Sequence, residues 1–306
     1  MGTPRFASRI LEALLERDDR VVGVVCQPDR PRDRGLAVAA PEVKRLALAR
    51  GLPVLQPERL RAPSAESELR AFAPDLIVVA AYGKILPRTI LALPSRGCIN
   101  VHASLLPRHR GAAPVQWTIL AGDAITGVTI MAMNEEMDAG DILLAREAPI
   151  RPDDTAGTLG ERLSHLGAEA VNAAIDGLKA GTVRPTPQPA TGITCAPRIE
   201  RDQGRLDWRR SATELNRVVR AFAPAPGAYS TLEGRLLKVY RAREIAETSV
   251  APPGTVVRAN ASDGIVVATG AGGLGLLEVQ LEGRRRLEAA AFLAGQRVAP
   301  GTCLGG

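Results

Sequence analysis

Cysteine is scarce. Cys26, Cys98, Cys195 and Cys303 are the only four in 306 residues, and no two have CxxC spacing. That spacing argues against a zinc knuckle or a disulfide framework, no metal is expected, and the pattern suits a reducing cytoplasm. No run of 18 apolar residues occurs, so no helical membrane span and no membrane partner are expected. The start lacks a basic stretch followed by an apolar core, so no secretory signal is expected. No P-loop, HExxH or GxSxG is present, which removes support for nucleotide-dependent and classical hydrolase chemistry. The one GxGxxG match, Gly270 to Gly275, leads into the strand-like LLEVQL rather than a helix. It offers no helix N-terminus to a pyrophosphate and reads as a hairpin loop. No internal repeat is visible.

What is present is a globular composition, 45% hydrophobic and 24% charged, long enough for two domains. Residues 5–17 place Phe6, Ile10, Leu11, Leu14 and Leu15 at helical spacing. Strand-like runs at 21–26, 75–82, 98–102, 127–133 and 143–150 alternate with helical stretches at 40–50 and 113–120. Asp153, Asp154 and Thr155 offer N-caps to a long helix ending near Gly181. Such alternation predicts an α/β fold, a doubly wound and mostly parallel sheet, over residues 1–181. Residues 182–201, rich in proline, read as a linker. Within 202–306, Ser211-x-x-Glu214 is a capping box for a helix to about Phe222, and short strands with turns then predict a small, OB-like β-barrel.

Charge is uneven along the chain. Residues 1–181 carry 22 basic and 22 acidic side chains, whereas residues 182–306 carry 17 basic and 11 acidic. The C-terminal part thus holds the whole +6. It is either a solvated surface or a face for a polyanion.

The densest chemistry lies between residues 100 and 141. Asn100-Val101-His102 ends an apolar strand, Ser104-Leu105-Leu106-Pro107 and Arg108-His109-Arg110-Gly111 follow, and Met137-Asp138-Ala139-Gly140-Asp141 closes the stretch. Two of the three histidines in the chain fall here, beside an amide and a carboxylate, which is a setting for proton handling. Taken singly, Asn100 could cap a strand and Asp138 to Asp141 could be an ordinary turn. His109 reads as a surface or loop residue and His165 as part of a helix.

These words in this order resemble the folate-dependent formyltransferases. Gly111-Ala112-Ala113-Pro114-Val115-Gln116, Gln27-Pro28-Asp29-Arg30-Pro31 and Gly127-Val128-Thr129-Ile130-Met131 are most similar to the branch that formylates methionyl-tRNA. Relatives acting on glycinamide ribonucleotide, or hydrolysing formyltetrahydrofolate, usually have His-Pro before Ser-Leu-Leu-Pro, where this chain has Ala103. The likeness continues through Ala196 to Ile199 and Leu206-Asp207-Trp208, and so covers essentially the whole chain.

The resemblance implies a cytoplasmic, monomeric enzyme with 10-formyltetrahydrofolate as formyl donor and initiator methionyl-tRNA as partner. It implies Asn100, His102 and Asp138 as catalytic residues. It places Tyr82, Gly83, Ile85 and Leu86 at the pterin, with Ser104, Leu105, Leu106 and Pro107 in the tetrahydrofolate site. Ile85 and Leu86 read equally well as core. Arg30, Arg32 and Arg34 lie in a loop that the resemblance brings to the tRNA acceptor end, with the C-terminal domain as a further tRNA-binding surface. Leu36 and Ala37 stand where relatives often have two lysines. The likeness also implies a central first strand before Gly2-Thr3-Pro4, so Met1 is expected to be an internal methionine of a longer chain, with neighbouring strands left unpaired. The alternatives are a formyltransferase acting on an amino sugar nucleotide and a non-catalytic RNA-binding relative.

Overall fold

The computed structural model describes residues 1–32, 37–246 and 250–305, with backbone only for 31, 32, 37 and 38. Contacts divide the chain into two units. The first contains Met1–Pro114, Ile125–Pro149 and Gly160–Arg198; the second contains Val115–Ala124, Ile150–Leu159 and Ile199–Gly306.

The chain begins with α1 (Arg5–Leu15), which buries Ala7, Ile10 and Leu11 along the predicted apolar stripe. It continues through β1 (Val24–Val25), β2 (Arg30–Arg32), β3 (Ala37–Ala39), α2 (Glu42–Ala49), β4 (Val54–Leu55) and α3 (Pro63–Ala71). There follow β5 (Ile77–Val79), α4 (Arg88–Leu91), β6 (Cys98–His102), α5 (Pro114–Ala121), β7 (Ile125–Ala132), β8 (Ile142–Pro149) and α6 (Ala156–Ala180). The architecture is α/β. β1 pairs with β4 and β5 with β6 in parallel, while β7 and β8 extend the sheet antiparallel in the order β5-β6-β7-β8. The arginine-rich stretch expected to be a loop is instead opened and closed by the antiparallel pair β2–β3.

Met1 and Gly2 lie between β1 and β5. The Gly2 N–H donates to Val25 O, and the Ala80 N–H to Met1 O, both at 2.9 Å. A cavity of about 510 Å³, lined by Ile10, Leu14, Val22, Val24 and Ile77 among others, adjoins them.

β6 carries two of the candidate residues, Asn100 and His102. All five of its residues are buried. Because strand side chains alternate between faces, Ile99 and Val101 share one face and Cys98, Asn100 and His102 the other. The Val101 face is covered by α1 and α6, so tightly that a Cβ on Gly167 would sit 2.9 Å from Val101 Cγ1 and 3.3 Å from Ile10 Cδ1. Only glycine lets α6 approach this closely. Cys98 joins a core with Val79, Leu86 and Ile90.

In the second unit, α7 (Ala212–Phe222) begins at the predicted capping box, with Ser211 and Glu214 bonding each other's backbone N–H. The predicted strands appear as β9 (Ala228–Leu232), β10 (Arg235–Ile245), β11 (Val256–Asn260), β12 (Gly264–Ala268) and β13 (Gly273–Leu281), followed by β14 (Leu287–Glu288) and α8 (Ala289–Gly295). They form an antiparallel sheet in the order β11-β12-β13-β10-β9, with β14 beside β13. Cys303 bridges to Thr255 next to β11, and Leu304 bridges to Leu232 in β9. The C-terminal segment thus bridges to both ends of the sheet order and partly covers its edges. The Gly-rich 270–272 stretch joins β12 to β13 as a hairpin.

Candidate active site

Asn100 and His102 are 8% and 5% exposed, and both lie in the first unit. A buried polar group is costly unless hydrogen-bonded, so their partners define the site. Asp138 comes from the loop between β7 and β8. Asn100 Nδ2 donates to Asp138 Oδ1 at 3.3 Å, and the Gly111 N–H donates to Asp138 Oδ2 at 2.9 Å. His102 Nδ1 stands 3.6 Å from Asp138 Oδ2, and His102 Nε2 stands 3.0 Å from the His109 carbonyl oxygen.

A carbonyl oxygen only accepts, so Nε2 carries the proton of the neutral ring. Nδ1 is then a lone pair beside a carboxylate. Burial pushes the His102 pKa below its ordinary value, while the Asp138 charge and the His109 carbonyl pull the other way. The neutral ring is a base whose conjugate acid has a carboxylate already in place to stabilise it. Asp138, meanwhile, has two N–H donors to hold its charge.

Two strained backbones shape this arrangement. His109 and Asp138 have φ of +60° and +51°. For residues other than glycine such a conformation costs ~1–3 kcal/mol and persists only where surrounding contacts impose it. At His109 the contact is a donor from its N–H to Thr194 Oγ1 at 2.8 Å. His109 is therefore a buried residue whose backbone orients His102, not a surface one; no side-chain pattern could reveal a role played by a carbonyl. Thr194 lies in the stretch read as a linker, which runs alongside the loop: the Arg110 N–H donates to Thr194 O at 2.9 Å and the Ala113 N–H to Ala196 O at 3.1 Å. Residues up to Arg198 group with the first unit.

The remaining candidates are spread more widely. Ser104 is fully buried and donates to Arg108 O at 2.7 Å, while its own carbonyl accepts from Thr129 Oγ1. Leu106 is buried and its N–H donates to Thr129 Oγ1; Leu105 and Pro107 are half-buried. Tyr82 and Leu86 belong to the core, whereas Gly83 and Ile85 are exposed, Ile85 at 65%. Burial pushes the Tyr82 hydroxyl up to about 12. Arg30 is exposed on β2, Arg32 has only its backbone described, and Arg34 lies outside the described residues. His165 is an exposed helical residue. Among the described residues, no helix is long and apolar enough to cross a membrane.

A buried amide and imidazole on one strand of a parallel-containing sheet thus meet a half-buried carboxylate from a neighbouring loop, a candidate setting for proton handling. The family model Formyl transferase matches residues 1–175, and Formyl transferase, C-terminal domain, matches residues 198–297; the chain belongs to the formyl transferase family and is an enzyme. Its curated relatives narrow the branch. The methionyl-tRNA formyltransferase of Myxococcus xanthus is 52% identical over 302 residues, covering 99% of this chain and 96% of that protein. Others of the same name are 45–48% identical over nearly the whole chain.

Among solved structures, the N-formyltransferase from Helicobacter canadensis, in complex with folinic acid and dTDP-3-aminofucose, superposes with a TM-score of 0.66 at 16% identity. That match covers 94% of this chain and 97% of that one. HypX from Aquifex aeolicus, in complex with tetrahydrofolic acid, gives 0.62 at 22% identity; the match covers 89% of this chain and 46% of HypX, so the chain spans about half of that protein. These two likenesses concern the fold.

Proposed function

We propose that this chain transfers a formyl group from 10-formyltetrahydrofolate to the α-amino group of initiator methionyl-tRNA. The observation that carries the chemistry is the convergence of Asn100, His102 and Asp138 around one buried position, in a chain half identical to methionyl-tRNA formyltransferases over its full length.

The donor supplies an electrophilic formyl carbon. As the amine attacks, a C–N bond forms, negative charge develops on the formyl oxygen and the attacking nitrogen becomes an ammonium. Asn100 has a second amide hydrogen beyond the one given to Asp138, and it donates that hydrogen to the oxyanion. Such a donor contributes ~2.7–4 kcal/mol to the transition state in comparable sites. His102 takes the ammonium proton at Nδ1, and Asp138 stabilises the imidazolium. The same proton then passes from His102 to the leaving nitrogen as the bond from the formyl carbon to the donor breaks. No covalent enzyme intermediate is needed.

The residues fit a folate-type donor. Among the described residues, Gln27 Oε1 is buried without a hydrogen-bond partner, while Gln27 Nε2 donates to Tyr82 O. A Cβ on Gly83 would stand 3.9 Å from Gln27 Nε2. An unmatched acceptor beside an exposed glycine and the exposed Ile85 suits a planar heterocycle carrying N–H groups.

Arg30, with Arg32 and Arg34, contacts the acceptor end of the tRNA. The basic second unit, with its exposed Arg284-Arg285-Arg286 run, adds phosphate contacts that weaken with salt. The enzyme acts in the cytoplasm as a monomer.

The test is a formyl-transfer assay with 10-formyltetrahydrofolate and either charged initiator tRNA or an amino sugar nucleotide. Formyl-methionyl-tRNA is expected. Turnover of the sugar alone, or no product with either acceptor from folded enzyme, would overturn the assignment.

A further inference from the structure

We propose that Gln188, in the proline-rich stretch after α6, is the positioning residue that holds Asp138 against His102. The proposal rests on the reading of Asp138 and His102 as the proton-handling pair.

The carboxamide of Gln188 is fully used. Its Nε2 donates to Asp138 O and to Gly140 O, both at 2.8 Å. Its Oε1 accepts from Arg110 Nη2 at 2.6 Å and from Arg110 Nε at 3.1 Å. The orientation of the amide is forced: carbonyl oxygens only accept and a guanidinium only donates, so the oxygen must face Arg110. One planar group therefore clamps two loops together. The first carries Asp138. The second carries His109, whose carbonyl fixes the other side of His102, and Gly111, whose N–H holds the Asp138 carboxylate.

The clamp falls where the backbone needs imposing. Asp138 sits at φ +51°, and its own carbonyl is one of the two that Gln188 bonds. Gly140, whose carbonyl is the other, lies so close to β7 that a Cβ there would be 1.8 Å from Ala132 O. The far end of the loop is thus fixed by close approach to a strand, and the Asp138 end by Gln188. The Ile142–Thr186 bridge anchors the segment bearing Gln188 to the start of β8, with both N–H groups donating, at 2.8 and 2.9 Å.

The experiment compares wild type with Gln188→Met, Gln188→Glu, Asp138→Asn and the double variant Asp138→Asn/Gln188→Met. It reads kcat, KM for both substrates, and the pH dependence of kcat. Met keeps the shape and removes all four hydrogen bonds. Glu keeps the Arg110 contact and replaces both donors with acceptors.

Displacement of a catalytic group by about 1 Å can cost ~100-fold, so both single Gln188 variants are expected to lose ~10- to 100-fold in kcat with KM unchanged. In Gln188→Met the acid limb should move to lower pH, as in Asp138→Asn, because His102 loses the carboxylate that raises its pKa. The double variant should be no slower than Asp138→Asn alone, since residues acting through one interaction are not additive. If either Gln188 variant fails to fold, Gln188→Ala carries the same expectations. Wild-type kcat in Gln188→Met or Gln188→Glu, a change confined to KM, or an additive double variant overturns the positioning role while Asp138→Asn remains slow. A wild-type rate in Asp138→Asn overturns the underlying pair instead.

Discussion

β6 and β9 are both five residues long, and they follow different rules. In β9, Ala228, Ser230 and Leu232 are buried while Tyr229 and Thr231 are half-buried, the alternation of a strand with one face on a core. Its one buried polar group, Ser230, is satisfied by Trp208 Nε1 at 3.1 Å. In β6 all five residues are buried, two of them polar, and the partners of Asn100 and His102 come from loops. Local sequence explains β9 on its own. β6 makes sense only once the loops are in place, and the strained backbones at His109 and Asp138 show that those loops are held rather than relaxed. Departures of this kind concentrate where a protein does chemistry.

The contrast breaks most visibly at His102. Replacing it with Asn keeps a polar group of similar reach but removes the base, and kcat should fall ~100- to 10,000-fold while the thermal transition changes little. Steady-state kinetics beside a melting curve checks both halves. The reverse is expected under β9. Phe222 is fully buried at the end of α7, and Phe222→Ala should destabilise the second unit by ~3–5 kcal/mol through lost contacts and a cavity. Denaturant unfolding followed by Trp208 fluorescence measures it. A smaller step sharpens the comparison: Ser211→Ala removes the cap of α7 and should cost about 1 kcal/mol in the same unfolding experiment.

Much of this was legible in the sequence because independent local signals agreed. Ser211 and Glu214 marked a helix start, and short strand-like runs between turns marked the sheet that follows it. Asn100, His102 and Asp138 stood out as polar residues in or beside an apolar setting. What escaped was carried by the backbone. The His109 carbonyl and the Gly111 N–H have no side-chain signature. The stretch holding Gln188 and Thr194 reads as a linker because proline breaks any periodicity, yet its hydrogen bonds run to the loops that carry His109 and Asp138. The β2–β3 pair was hidden by its arginines, which argue for a loop, and its strands are three residues each.

The central claim is that His102 is a buried neutral base whose conjugate acid is stabilised by Asp138. Burial lowers its folded pKa, so protons bind the unfolded chain more readily, and this residue's contribution to stability is lost as pH falls below ~6.5. The most direct test follows the His102 ring by NMR across pH in wild type and Asp138→Asn, with only three histidines to assign. The account predicts a midpoint below ~6.5 in wild type and a lower one in Asp138→Asn, where the carboxylate no longer supports the imidazolium. A midpoint at or above the ordinary value, or one that Asp138→Asn leaves in place, would contradict it.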